Sequence, residues 1–117
     1  MSRGYGGFGI KDSENDEFVV YAYSSFNWND EKHYNDDRIC DGRITISKKA
    51  IAVCEEESLE ISFVNLYNQK GVIIENCSNT WIQEKSGMDF ISLYLCSRIL
   101  ASYREEHCFP EKCHYVI

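Results

Sequence analysis

Residues 18–23, FVVYAY, are all β-branched or aromatic except for one alanine. Such side chains lose χ1 freedom against the preceding turn of a helix but pack well on a pleated surface. The run predicts a strand, and a strand needs partners to be stable. Upstream, Tyr5, Phe8 and Ile10 alternate with glycines in GYGGFGIK (4–11). This predicts a first strand, either a glycine-rich edge or one that another backbone approaches closely. The polar cluster DSEND (12–16) reads as the turn between the two. Downstream, Ile44 and Ile46 alternate with Arg43, Thr45 and Ser47, which puts the isoleucines on the core and the other three in water. Asp41-Gly42 separates this run from Arg38-Ile39-Cys40, and Asp-Gly is a strong signal for a two-residue hairpin turn.

Past Ser47 the pattern is less regular. KKAIAVCEEES (48–58) fits a short helix or a strand that ends in an acidic turn. Leu59, Ile61 and Phe63 alternate with polar residues and predict a strand over 59–66. Asn68 to Gly71 would be a hairpin loop, and Val72 to Glu75 the returning strand, continuing irregularly towards Trp81. A helix follows at about 87–106. Ile91, Leu95 and Ile99 recur every four residues, Ser86 can cap the start with Asp89 three residues on, and His107 and Pro110 mark the end. Cys113 to Ile117 would form a short last strand. The fold class is therefore α+β: a mostly antiparallel sheet of five or six strands with one long helix on one face and a short C-terminal strand. At 117 residues the expectation is a single domain.

Several stretches resemble chemical motifs, and each has a simpler structural explanation. HCFPEKCH (107–114) holds His107, Cys108, Cys113 and His114, all zinc-ligand types. A structural zinc site usually takes two ligand pairs from separate segments, so a helix end, a proline turn and buried thiols explain this stretch more simply. A Cys108–Cys113 disulfide would require an oxidising setting. The six cysteines are spread through the chain as small buried residues would be. GYGGFG lacks the strand-before, helix-after context of a phosphate loop. NDDRICDG (35–42) misses the calcium-loop spacing. No Ser/His/Asp order and no helix-borne HExxH appears, so no catalytic residue and no cofactor are assigned. MSRGYGGFGI has no apolar signal core, and no run is long enough for a membrane span. The expectation is a cytoplasmic protein with reduced thiols.

Charge is what remains to be explained. The chain carries a net −7, and the window Asp12–Asp41 holds nine acids against only Lys32 and Arg38. The remainder is balanced, so the whole excess falls in one window and predicts one acidic patch. Nucleic acid and anionic membranes are poor partners for such a surface, and a basic protein is a good one. Within the window, FNWNDEKHYNDDRICD (26–41) sets three aromatics among the acids. Tyrosine and tryptophan bury large areas at low entropic cost and recur in interface hot spots. The residues assigned to partner binding are Trp28 and Tyr34 as anchors, with Asp30, Glu31, Asp36, Asp37 and Asp41 to steer and pair with Lys or Arg.

Small size, the acidic Asp12–Asp41 window, the aromatic-laced FVVYAYSSFNW (18–28) and the lack of catalytic motifs give the chain a resemblance. It resembles the cytoplasmic immunity proteins of bacterial polymorphic and contact-dependent toxins. The resemblance implies tight one-to-one binding of a toxin domain, often a nuclease with a basic cleft, and inhibition by occupying or blocking that cleft. The alternative from another class is a small zinc- or thiol-dependent protein that uses the cluster at 107–114.

Overall fold

A computed structural model describes residues 4–35, 39–53, 71–83 and 87–116. In chain order its elements are β1 (Tyr5–Glu14), β2 (Phe18–Asn27), β3 (Gly42–Ser47), α1 (Lys48–Val53), β4 (Val72–Glu75), α2 (Phe90–Glu106) and β5 (Lys112–Val116). The five strands form one sheet in the order β4-β3-β2-β1-β5, with every neighbouring pair antiparallel. The fold is α+β, with the long helix packed against the sheet. The 48–58 segment begins as helix over Lys48–Val53, while the expected strand at 59–66 and all of its loop but Gly71 lie outside the described residues.

β1 and β2 are each ten residues long and form the frame. The turn between them is tighter than DSEND suggested, because β1 runs on through Asp12 and Ser13. Asn15 closes it: its Oδ1 accepts the amides of Glu17 and Phe18, both at 2.8 Å. This is the local bonding that makes asparagine a turn residue. β1 is not an edge strand, since β2 and β5 flank it. Its glycines serve close approach instead. A Cβ on Gly7 would stand 2.5 Å from Ile91 Cγ2 and 2.6 Å from the Ser24 carbonyl, so only glycine lets α2 settle this near the sheet.

The core lies between α2 and one sheet face. β2 contributes Val19, Tyr21 and Tyr23, β3 contributes Ile44 and Ile46, and α2 contributes Ile91, Leu95, Cys96 and Ile99. Each such aliphatic side chain is worth about 1.5–3 kcal/mol when fully buried. The period-four pattern of α2 thus found the buried face, but the start differs. The helix begins at Phe90, and Asp89 is itself the cap, its side chain accepting the Ile91 amide at 2.9 Å. Ser86 lies outside the described residues. At the other end His107 caps with φ 59°, and its amide donates to the Tyr103 carbonyl.

The Asp41-Gly42 hairpin does not form. Gly42 is the first residue of β3 and pairs with Tyr23, while Ile39 is exposed and Cys40 is outside any strand. Glycine is required there because the Tyr23 ring packs directly over it. Arg43, Thr45 and Ser47 are half-buried rather than fully in water. Tyr23 then leads to a buried polar cluster. Its hydroxyl donates to Asp89 Oδ2 at 2.9 Å and accepts the Cys77 amide at 3.0 Å, fastening the segment after β4 to the helix cap.

Candidate interaction surface

The residues following β2 carry most of the predicted interface. Asn27 ends the strand by folding its side chain forward, so that Oδ1 accepts the Asn29 amide at 2.9 Å. The Trp28 amide donates to the Gly4 carbonyl at 2.7 Å. With its backbone tied down, the Trp28 ring stacks on Phe26 at 4.8 Å between centroids and remains 55% exposed. A tryptophan stacked this way from below, yet open above, has lost much of its rotamer freedom before any partner arrives.

A single 3-10 turn follows at Glu31–His33. Asp30 caps it, accepting the Lys32 amide at 3.1 Å, and its other carboxylate oxygen meets His33 Nδ1 at 2.9 Å. The bond from His33 holds the Asp30 carboxyl below its usual range. Asn35 adopts a left-handed φ of 54°, a region asparagine tolerates better than most residues. From there its amide nitrogen donates to Ser24 Oγ and to the Ser25 carbonyl, while its Oδ1 accepts the Ile39 amide. Asn79 ties the loop from the other side, donating to the Ser25 and His33 carbonyls at 2.7 and 3.1 Å. Hydrogen bonds from Asn35 and Asn79 thus pin the described part of the loop.

On the sheet face away from α2, this loop borders a shallow groove of about 240 Å³. Phe8, Phe26, Trp28, Tyr34, His114 and Val116 line it. Trp28, Tyr34 and Val116 are all exposed. The sequence pointed to Trp28 and Tyr34 but missed the groove floor. The alternation of β2, carried three residues past Tyr23, would have placed Phe26 there. Nothing in the sequence marks Asn79 as a loop tie.

The acids do not form the single patch expected. Asp12, Glu14, Asp16 and Glu17 lie at the β1–β2 turn, whereas Asp30 and Glu31 follow the far end of β2. Ten strand residues at about 3.3 Å each separate the two groups by roughly 30 Å. Glu14 is neutralised within the fold, its carboxylate meeting Lys11 at 2.8 Å and Lys48 at 2.6 Å. Asp41 accepts the Ser78 amide at 2.9 Å, and bonds from Ser78 keep its carboxyl low. Glu31 is exposed and has no ion pair among the described residues. Asp36 and Asp37 lie outside the described residues. An acidic element therefore survives beside the aromatic groove, but it is local to the loop.

The alternative cluster comes apart. Cys113 and His114 are successive strand residues and project to opposite faces of β5, with Cys113 buried and His114 exposed. Burial pushes the Cys113 thiol up to about 11, unlike a metal-ready thiolate. His107 serves as the helix cap, and Cys108 is exposed with a free thiol. Among the described residues no three His, Cys, Asp or Glu side chains gather as a metal site would need. No described helix is long and apolar enough to cross a membrane.

No protein family, curated protein or solved structure matches the chain.

Proposed function

We propose that this chain is a binding protein for a basic protein partner, of the kind that immunity proteins present to a cognate toxin domain. One observation carries the reading: Trp28 is held exposed over an aromatic groove by a hydrogen-bonded loop that also displays carboxylates. Apolar anchors at the centre and charge at the rim is the anatomy of a specific protein interface. Trp28 and Tyr34 would insert into the partner. Glu31, with Asp36 and Asp37 in the same loop, would meet its lysines and arginines, and Asp30 would hold the turn. Inhibition would follow from occupying a cationic cleft that the partner needs for its own substrate.

The test is co-expression with the C-terminal domain of the protein encoded directly upstream, with cell growth as the readout. The wild-type chain should restore growth, and Trp28→Ala combined with Glu31→Lys should abolish the rescue while circular dichroism stays unchanged. An upstream neighbour with no basic, growth-arresting domain would sink the proposal, as would full rescue by the folded double variant.

A further inference from the structure

The β5 edge of the sheet carries a different chemistry. β5 is the last strand of the order, and among the described residues nothing pairs with its outer edge. The Lys11 amide donates to the Glu111 carbonyl at 2.8 Å, which makes Lys11 and Glu111 a hydrogen-bonded pair. Such pairs alternate along an antiparallel ladder, so Gly9 with Cys113 and Gly7 with Tyr115 are the next two. The amide and carbonyl groups of Lys112, His114 and Val116 therefore point away from β1, towards the free edge. All three residues are exposed.

A cleft of about 340 Å³ runs along this edge, between β5 and α2. Arg98, Ser102, Pro110, Lys112, His114 and Val116 line it. Arg98 is exposed and rests over the Tyr115 ring at 5.9 Å. Neither Arg98 nor Lys112 has an ion pair among the described residues. In a chain of net charge −7, this is a local cationic rim around a strand edge that no described strand pairs.

We propose that the edge of β5 is a docking site for an extended acidic peptide, which adds as a further strand of the sheet. Backbone bonds to Lys112, His114 and Val116 would supply affinity, and side-chain contacts would supply selectivity. On the outer face a carboxylate of the added strand pairs with Lys112, and an apolar residue covers Val116. On the helix face a second carboxylate reaches Arg98. The same two cations repel a basic strand, which guards the edge against indiscriminate pairing. This site adjoins the Trp28 groove, with which it shares His114 and Val116, but takes a ligand of opposite charge.

The test uses two capped octapeptides, VVVEEEVV and VVVKKKVV, whose three central charges fall on both faces of an added strand, added to the full-length chain labelled for NMR. The glutamate peptide should shift the amide resonances of Lys112, His114 and Val116 and slow their hydrogen exchange, and the lysine peptide should do neither. Arg98→Glu with Lys112→Glu should weaken the glutamate peptide about tenfold. His114→Pro removes an outward amide without touching the β1 ladder, so it should abolish binding while the sheet persists. The proposal is overturned if the glutamate peptide leaves these amides unmoved, or if both peptides bind equally. Protection of the edge by self-association in the absence of peptide would also overturn it.

Discussion

Tyr23 shows how much of this structure hangs on single atoms. Its ring covers Gly42, and its hydroxyl joins the Cys77 amide to the buried Asp89 carboxylate, itself the cap of α2. Burial, reinforced by Asp89, holds the phenol far above its ordinary range, so it remains a donor at every physiological pH. Tyr23→Phe leaves a buried amide and a carboxylate each short of a partner. It should cost about 1–3 kcal/mol, read as a lower urea midpoint at unchanged slope. Gly7→Ala should cost a similar amount, about 1–3 kcal/mol, because the new methyl meets Ile91 and a carbonyl rather than open space. The glycine-rich pattern of 4–9 is consistent with a close approach, but nothing in it names α2 as the element that approaches. Gly42 departs from its turn signal for a related reason. The Asp-Gly signal assumes a glycine chosen for its dihedrals, whereas this one is chosen for the ring above it, a contact that only the folded sheet creates.

Between elements, Glu14 is an electrostatic link with two lysine partners. It sits at the end of β1 and receives Lys11 of the same strand and Lys48 of α1, while Lys11 also reaches Glu111 ahead of β5 at 3.0 Å. The lysine hydrogen bonds hold the Glu14 carboxyl below its usual 4.5. Its contribution is therefore complete above that unfolded value and is lost as pH falls through the lower folded one. Bonds from Glu14 and Glu111 raise Lys11 above 10.5, so its contribution is complete below 10.5 and is lost as pH climbs through the raised value. Glu14→Gln should lower stability at neutral pH by about 0.5–1 kcal/mol, the scale of partly exposed pairs. It should also flatten the acid limb of a stability–pH curve, leaving the parts that belong to Asp30 and Asp41. An acid limb as steep as the wild type's would refute the link. At this scale the sequence was legible where period and burial agree, as in β2 and α2. It was not legible for α1, whose KKAIAV fits helix and strand equally, nor for ion pairs that join β1 to α1 across 34 positions.

Over the whole molecule, the excess negative charge is a property of the chain window more than of one surface. A ten-residue β2 carries the two halves of that window to opposite ends of the sheet, and no count along the sequence could show it. The separation also makes the Trp28 surface testable by kinetics. At physiological salt, screening acts over about 8 Å, far less than the roughly 30 Å between the clusters. Charges at the β1–β2 turn should then contribute little to a partner arriving at the loop. Asp36→Lys with Asp37→Lys should slow association with the basic partner by about tenfold or more at low salt, and the deficit should shrink as salt is added. Asp16→Lys with Glu17→Lys makes the same change in net charge at the far end, so its association rate at physiological salt should stay within about twofold of wild type. Both rates can be followed by stopped-flow through Trp28, whose exposed ring lies where the partner would land. Equal slowing by the two pairs would mean that the partner senses only the molecule's total charge, and the local role given to the loop would have to be abandoned.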